Sequence, residues 1–478
     1  MEKDIRDILD IFTEINKIPR QSKHEKQISD WLMTWAEKNG FAAERDNLLN
    51  VLIHVPPTPG YEKRPVVVLQ GHMDMVCEKT PDSPHDFSKD PVKVLIDEDW
   101  VHADKTTLGA DNAIALALAM KIAIDPAVEH PELELLFTID EETGLTGANG
   151  LSSDFIKGKI LLNIDSEDDK KFTIGCAGGR DTKISFPVEF ISNPEAYSLM
   201  KISVSGLTGG HSGSDIQKGR ANANKILARV LDRLDRNDIY LVTLTGGSAH
   251  NAIPRDAEAL LAIPRTDSSP LSGIESLIQD LQHEYQTTDP NLIVSWEEIF
   301  RPADQVLTRD LTKRIIQTLL ALPHGVAAMS SQIDGLVETS NNLATLKTDS
   351  KRITLLTSQR SSVMSRLDVI TRQIESVGHL AGAEVRSGNG YPSWQPDMDS
   401  KLLKKCKEVY RKVHNGEEPV IEVIHAGLEC GVIGAKYDGM EMISFGPLIL
   451  DAHSPDERMS LPSLEKVWRF TKTLLKEL

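Results

Sequence analysis

A chain of 478 residues is too long for one typical domain and points to about two or three. With 40% hydrophobic and 26% charged residues it has the composition of an ordinary globular protein, and its net charge of −18 argues against a nucleic-acid partner, which would need a basic face. Cys77, Cys176, Cys406 and Cys430 include no C-x-x-C pair and predict no disulfide framework. No run approaches about 18 uninterrupted apolar residues, so no membrane span is expected. The N-terminal MEKDIRDILDIFTEI lacks the basic and apolar regions of a signal peptide, which predicts a cytoplasmic protein.

In chain order, helices are predicted over 5–15 and over 24–38, where Ile28, Trp31, Leu32 and Trp35 recur at helical spacing. A short strand follows at 51–55. The run Val66-Val67-Val68-Leu69 reads as a strand buried on both faces. An Ala-rich helix over 111–124 and strands at 132–139 and 160–164 complete a βα alternation, the pattern of a mostly parallel sheet covered by helices. Near residue 180 the texture becomes α+β. Strands are predicted at 181–189, 200–204, 239–245, 258–263, 335–346 and 353–358, and helices at 222–234, 306–322 and 361–377. Ser387-Gly388-Asn389-Gly390-Tyr391-Pro392 reads as a linker. A helix at 400–413 and strands at 420–424 and 441–445 then resume the α/β texture. The economical organisation is one α/β domain split between 1–180 and 391–478, with an α+β domain inserted at 181–390.

Five clusters carry the chemistry. His72 follows a buried strand, and Asp74, two residues on, can orient its ring. Asp111, between Gly109-Ala110 and the Ala-rich helix, is either a helix N-cap or a carboxylate bridging two cations; alone, the cap is favoured. Asp140-Glu141-Glu142 and Asp165 each follow an apolar strand, the end at which parallel sheets place their ligands. His453 lies far downstream, before Ser-Pro-Asp-Glu. Each is weak singly. Jointly they make up the donor inventory of a two-metal hydrolytic site with a spare carboxylate.

Taken in order, the motifs GHMDMV, LGADNAIALA, DEETGLTGA, LLNIDSED, GGHSGSDI, NAIPR, HAGLECG and AHSPDE resemble the M20 metallopeptidases. Within them they are most similar to the aminoacyl-histidine (Xaa-His) dipeptidase branch, also called peptidase D or carnosinase-like. The resemblance implies a zinc-peptidase-like catalytic domain and an inserted lid or dimerisation domain. It implies two Zn²⁺ per subunit, with Co²⁺ or Mn²⁺ as substitutes: His72 and Asp165 on one, Glu142 and His453 on the other, and Asp111 bridging them through a cis Asp111-Asn112 peptide. Glu141 matches the general base that works on a zinc-bound water, and Asp74 the residue orienting His72. In the inserted segment His211 matches a histidine that contacts the substrate carbonyl, and Asn251 and Arg360 match positions that hold the dipeptide. Gly427 matches a backbone contact. Arg360 offers a planar fork suited to a free C-terminal carboxylate. His250 is a weaker candidate, and His102, His324 and His425 read as structural. The implied substrates are small dipeptides with free termini, β-Ala-His among them, and the implied assembly is a homodimer. The competing readings are a deacylase of N-acyl amino acids on the same metal site and a non-catalytic metal-binding protein on the same scaffold.

Overall fold

The computed structural model describes residues 2–195, 197–235, 238–264, 269–300 and 304–478. Contacts divide the chain into two compact units. The first comprises Met1–Cys176, Trp394–Val423 and Leu428–Leu478, the second Ala177–Ser393 and Ile424–Gly427.

The first unit is built on an eight-stranded sheet. Its middle strands, in the order Leu133–Thr138, Val67–His72, Ile160–Asn163 and Glu441–Ser444, run parallel. On one side the antiparallel strands Val51–Val55 and Ala42–Arg45 extend it, and on the other Lys171–Cys176 and Val420–Ile424. Every residue of Val67–His72 and of Leu133–Thr138 is buried, as expected for strands covered on both faces. The helix Ala110–Ile124 packs on Val67–His72 and is buried almost all round. Lys3–Ile15 instead buries one stripe, Ile5, Ile8, Leu9, Phe12 and Ile15, at the spacing of an amphipathic helix. Each such side chain taken fully out of water stabilises the fold by about 1.5–3 kcal/mol. The returning C-terminal segment is punctuated by caps: the Ser400 side chain accepts the N–H of Leu403, and that of Ser460 accepts the N–H of Ser463.

The second unit is a nine-stranded antiparallel sheet. Its order is Ile293–Ile299, Tyr197–Ser205, Ala257–Pro264, Tyr240–Gly246, Val337–Thr348, Arg352–Ser361, Gly178–Pro187 and Glu384–Ser387, with Gly325–Met329 paired to Val337–Thr348. The helices Ala223–Asp235, Arg309–Ala321 and Met364–Leu380 contribute Leu227, Leu231, Ile315 and Ile374 to a core shared with Ile202, Leu261 and Leu355 of the sheet.

Three local expectations are corrected. The helix expected over 306–322 is a short strand, Gln305–Leu307, paired with Phe190–Ser192, then the helix Arg309–Ala321. Thr308 divides them because its side chain accepts the N–H of Leu311 and starts the helix there. The helix expected from 361 starts at Met364, because Gln359–Ser361 remain in ladders with Gly178–Arg180 and with Thr339–Asn341. The segment 387–392 is no free linker: Ser387 pairs with Thr182, and Tyr391 and Gly179 exchange both backbone hydrogen bonds.

The four cysteines are free, and no helix among the described residues is long and apolar enough to cross a membrane.

Candidate functional site

Because Leu133–Thr138, Val67–His72 and Ile160–Asn163 are parallel neighbours, the residues that follow or end them gather at one edge of the sheet. His72 closes its strand, Asp140-Glu141-Glu142 follows the second and Asp165 the third. The turn at Asp140 has φ +50, and the acids beyond it lie in a short helix, Glu141–Gly144. Asp111 arrives on the first turn of Ala110–Ile124. It does not cap that helix: Gly109 holds the cap position, Asp111 has non-helical φ −79 and ψ 102, and the Asp111-Asn112 peptide is cis. The Asn112 side chain accepts the N–H of His72 at 3.2 Å and donates to Ile164 O at 2.7 Å, which ties two of the strand ends together.

Asp111 lies between the two imidazoles. Its Oδ1 is 3.0 Å from His72 Nε2 and its Oδ2 3.0 Å from His453 Nε2. His72 Nε2 is also 3.4 Å from Asp165 Oδ1, and His453 Nε2 is 3.2 Å from Glu142 Oε2. Two triads result, His72–Asp111–Asp165 and Asp111–Glu142–His453, each with donor atoms within 4.8 Å of one another. The far nitrogen of His72, Nδ1, faces Asp74, 3.2 Å from its carbonyl and 3.4 Å from Oδ1.

The charges at this edge are unbalanced. Burial alone would push His72 down, but Asp165, Asp111 and Asp74 hold it well above the usual imidazole range. Asp111 and Glu142 push His453 up to about 11. Burial, reinforced by Asp165, Glu429 and Glu142, holds Glu141 well above the usual carboxylate range against the pull of His72. Four carboxylates, Asp111, Glu141, Glu142 and Asp165, face two imidazoles, and Glu142 Oε1 is buried without a hydrogen-bond partner. An orphaned buried carboxylate oxygen beside a shared carboxylate, in a mixed N/O donor set, fits a pair of divalent cations. His72, Glu141 and Glu142 also have donor atoms within 4.8 Å of one another. A separate cluster, Glu25, Asp74 and Asp140, does not fit a cation: Glu25 accepts the N–H groups of Lys23 and Asp140, Asp140 the hydroxyls of Thr143 and Thr146, and Asp74 the N–H groups of Glu141 and Glu142.

The remaining candidates lie in the second unit. His211 occupies a two-residue strand paired with Ala252 and Ile253. Its Nδ1 accepts the N–H groups of Gly213 and Ser214, each at 3.3 Å, so the ring proton sits on Nε2, which is left as a donor. Burial and the charge of Arg360 lower its pKa and keep the ring neutral. His211 and Asn251 line a groove of about 920 Å³. Arg360 is 6% exposed and donates from Nη1 to the Tyr391 hydroxyl at 2.9 Å. Gly427 clusters with this unit, and a Cβ there would lie 2.8 Å from the Tyr391 ring. His250 pairs with Asp181 at 3.1 Å, and Asn222 Nδ2 with His324 Nδ1 at 3.2 Å. His102 turns its Nδ1 to a backbone carbonyl.

Some neighbours carry a weak sequence signal, as Glu429 does inside HAGLECG, or none. Glu429 is fully buried and accepts from Gln70 Nε2 at 2.6 Å and the Thr138 hydroxyl at 2.7 Å, and burial pushes it up to about 7. Tyr391 sits in a stretch that reads as linker. Arg20 follows Pro19 with no pattern around it. Glu457 had a possible clue, its place in AHSPDE after His453.

The chain is similar to known proteins along most of its length. The family model for peptidase family M20/M25/M40 matches residues 68–477. The cytosol non-specific dipeptidase of Escherichia coli (strain K12) is 38% identical over 471 residues, covering 98% of this chain and 97% of that protein. The crystal structure of aminoacylhistidine dipeptidase from Vibrio alginolyticus superposes with a TM-score of 0.91 at 39% identity, over 99% of this chain and 96% of that one. A tripeptidase from Staphylococcus aureus shares the fold at a TM-score of 0.58 and 16% identity, over 99% of this chain and 98% of that one. With a family match across most of its length and a relative this similar from end to end, the chain belongs to peptidase family M20/M25/M40.

Proposed function

We propose that this protein is a metal-dependent dipeptidase of the cytoplasm that cleaves dipeptides with free termini, Xaa-His dipeptides such as β-Ala-His among them. The observation that carries the reading is Asp111, whose two oxygens lie 3.0 Å from two different imidazoles. His72 and Asp165 would hold one cation, Glu142 and His453 the other, and Asp111 both; this donor set suits Zn²⁺, with Co²⁺ or Mn²⁺ as substitutes. Bound there, such a pair supplies Lewis acidity toward a carbonyl oxygen and lowers the pKa of water.

The chain's own groups do the rest. Glu141 accepts a proton from the attacking water at its carboxylate and returns it to the leaving amine. Asp74 orients His72 through Nδ1. His211 Nε2–H donates to the substrate carbonyl oxygen as negative charge develops there. Arg360, its Nη1 steadied by Tyr391, takes the free carboxylate, while Asn251 and the Gly427 backbone hold the peptide. A free-carboxylate requirement confines cleavage to the bond next to the C-terminus and excludes internal peptide bonds. Ile293, Trp296 and Phe300, exposed on or beside the edge strand Ile293–Ile299, support pairing of two copies of the chain.

The test is hydrolysis of β-Ala-His, Gly-His, Ala-Leu and N-acetyl-Met by metal-depleted protein, with and without added Zn²⁺. Zinc-restored cleavage of the dipeptides and not of N-acetyl-Met is the expected result. Cleavage of N-acetyl-Met alone would make the protein a deacylase, and no zinc-dependent turnover would overturn the enzymatic reading.

A further inference from the structure

Two buried charges flank the loop that carries Asp111, and the chemistry above uses neither. Glu457 is 2% exposed. Its Oε2 accepts the N–H groups of Leu108 at 2.8 Å and Gly109 at 2.9 Å, and its Oε1 accepts Ala110 at 2.8 Å and, more distantly, Asp111 at 3.4 Å. Successive N–H groups of the loop that carries Asp111 thus close on one carboxylate. Glu457 belongs to the turn that carries His453, and its own N–H donates to Ser454 O at 3.1 Å.

Arg20, also 2% exposed, grips the same loop by its carbonyl side. Its Nη2 donates to Gly109 O at 2.7 Å and to Asn16 Oδ1 at 3.2 Å, and its Nη1 to the carbonyls of Asp74 at 3.1 Å and Met73 at 3.3 Å. Among the described residues Arg20 makes no ion pair with a carboxylate. Gly109 has φ +68, and a Cβ there would lie 2.2 Å from Arg20 Nη2, so glycine is what admits the guanidinium.

Taking a guanidinium and a carboxylate out of water is costly, and an apolar pair can stabilise such a site at least as well. What the charged pair adds is direction. Glu457 fastens the Asp111 loop to the segment of His453, and Arg20 fastens it to the segment of His72 and Asp74. Those are the two imidazoles between which Asp111 lies.

We propose that Arg20 and Glu457 are positioning residues that hold Asp111 between the two triads and thereby set how tightly a cation pair is bound. The proposal rests on the reading of the triads as a cation site. Glu134 supplies the control. It is fully buried and accepts the N–H groups of Lys157 at 3.0 Å and Gly158 at 2.9 Å, but it lies on the strand Leu133–Thr138 at the end opposite the one that leads to Glu141.

The experiment is calorimetric titration of Zn²⁺ into metal-free full-length protein, for the wild type, Glu457→Gln, Arg20→Lys and Glu134→Gln, with circular dichroism as the check on folding. The visible spectrum of each Co²⁺-loaded form is the second readout. Glu457→Gln and Arg20→Lys are expected to stay folded, bind the pair about 10–100-fold more weakly and alter the Co²⁺ spectrum. Glu134→Gln should lower thermal stability and leave affinity and spectrum alone. Wild-type affinity in the first two variants, an equal loss in Glu134→Gln, or failure of both Glu457→Gln and Arg20→Lys to fold would make the pair general scaffolding and overturn the proposal. A wild-type protein that takes up no cation pair would sink the cation-site reading itself, and the proposal with it.

Discussion

The Asp74 carboxylate accepts the backbone N–H of Glu141 at 3.0 Å through Oδ1. The same side chain accepts the N–H of Glu142 at 3.2 Å and lies 3.4 Å from His72 Nδ1. One buried residue therefore joins the end of Val67–His72 to the turn beyond Leu133–Thr138. Asp74→Asn replaces an acceptor oxygen with an amide NH₂ in a place ringed by donors. Cation affinity is expected to fall by about 10–100-fold, as measured by calorimetric titration of the metal-free protein. Unchanged affinity would mean that Asp74 organises the turn and not the ring.

Glu141→Gln keeps the volume of the side chain and removes the proton acceptor. The expected result is a fall in kcat of about 10²–10⁴-fold with wild-type metal content by elemental analysis. A variant that loses metal as well would place Glu141 among the ligands.

Gly71 has no room for a side chain. A Cβ there would lie 2.4 Å from Asn112 Oδ1 and 2.6 Å from Ala115 Cβ. Gly71→Ala should destabilise the protein by about 1–3 kcal/mol in urea unfolding and displace the Asn112 acceptor from the His72 N–H.

Arg360→Lys keeps the charge and loses the fork. If the residue takes the substrate carboxylate, kcat/KM on a dipeptide should fall about tenfold to a hundredfold, the worth of about 1.5–3 kcal/mol for a hydrogen bond to a charged group. The same dipeptide with an amidated C-terminus should show little difference between the two proteins. Equal losses on both substrates would assign Arg360 to the packing of Tyr391.

His425 makes the second unit sensitive to acid. Its Nε2 lies 2.7 Å from the Ser340 hydroxyl, and burial, reinforced by Arg360 and His211, pulls it down to about 3. The unfolded imidazole titrates near about 6.5. Between those values the unfolded chain binds a proton that the folded chain refuses, so stability is complete above about pH 6.5 and falls as pH drops, by up to about 1.4 kcal/mol per pH unit. His324, pulled down to about 4 by burial and Lys225, acts in the same direction. Thermal unfolding at pH 7 and pH 5 should show a smaller difference for His425→Gln than for the wild type.

Much of the fold is legible where the signal is local. Val67–His72 is a buried apolar run and Lys3–Ile15 has one apolar stripe. Legibility fails where an element depends on distant partners. Gln305–Leu307 is a strand because Phe190–Ser192 lies beside it, and Tyr391 is ordered because Gly179 and Arg360 bond to it. The acids and histidines are visible as residue types, and the motifs name them. Asn112, Glu429 and Glu457 stand inside the motifs and Arg20 outside them, but what each of the four bonds to is decided by position in the fold.

The sequence by itself determined that the chain folds as α/β with an α+β insertion, that its acids and His72 follow strand ends or begin a helix, and that its motifs are those of a peptidase family. It could do so because hydrophobic periodicity and the residue types at strand ends are properties of neighbours along the chain. Tertiary structure alone decided that Asp111 leaves its helix cap to Gly109 and turns one oxygen to each imidazole. It also decided that one buried carboxylate and one buried guanidinium hold the loop there. The register of parallel strands and the return of the C-terminal segment bring His72 and His453 to the same carboxylate from 39 residues before it and 342 after it. Contacts at such separations depend on how the strands stack, and no window of sequence contains them.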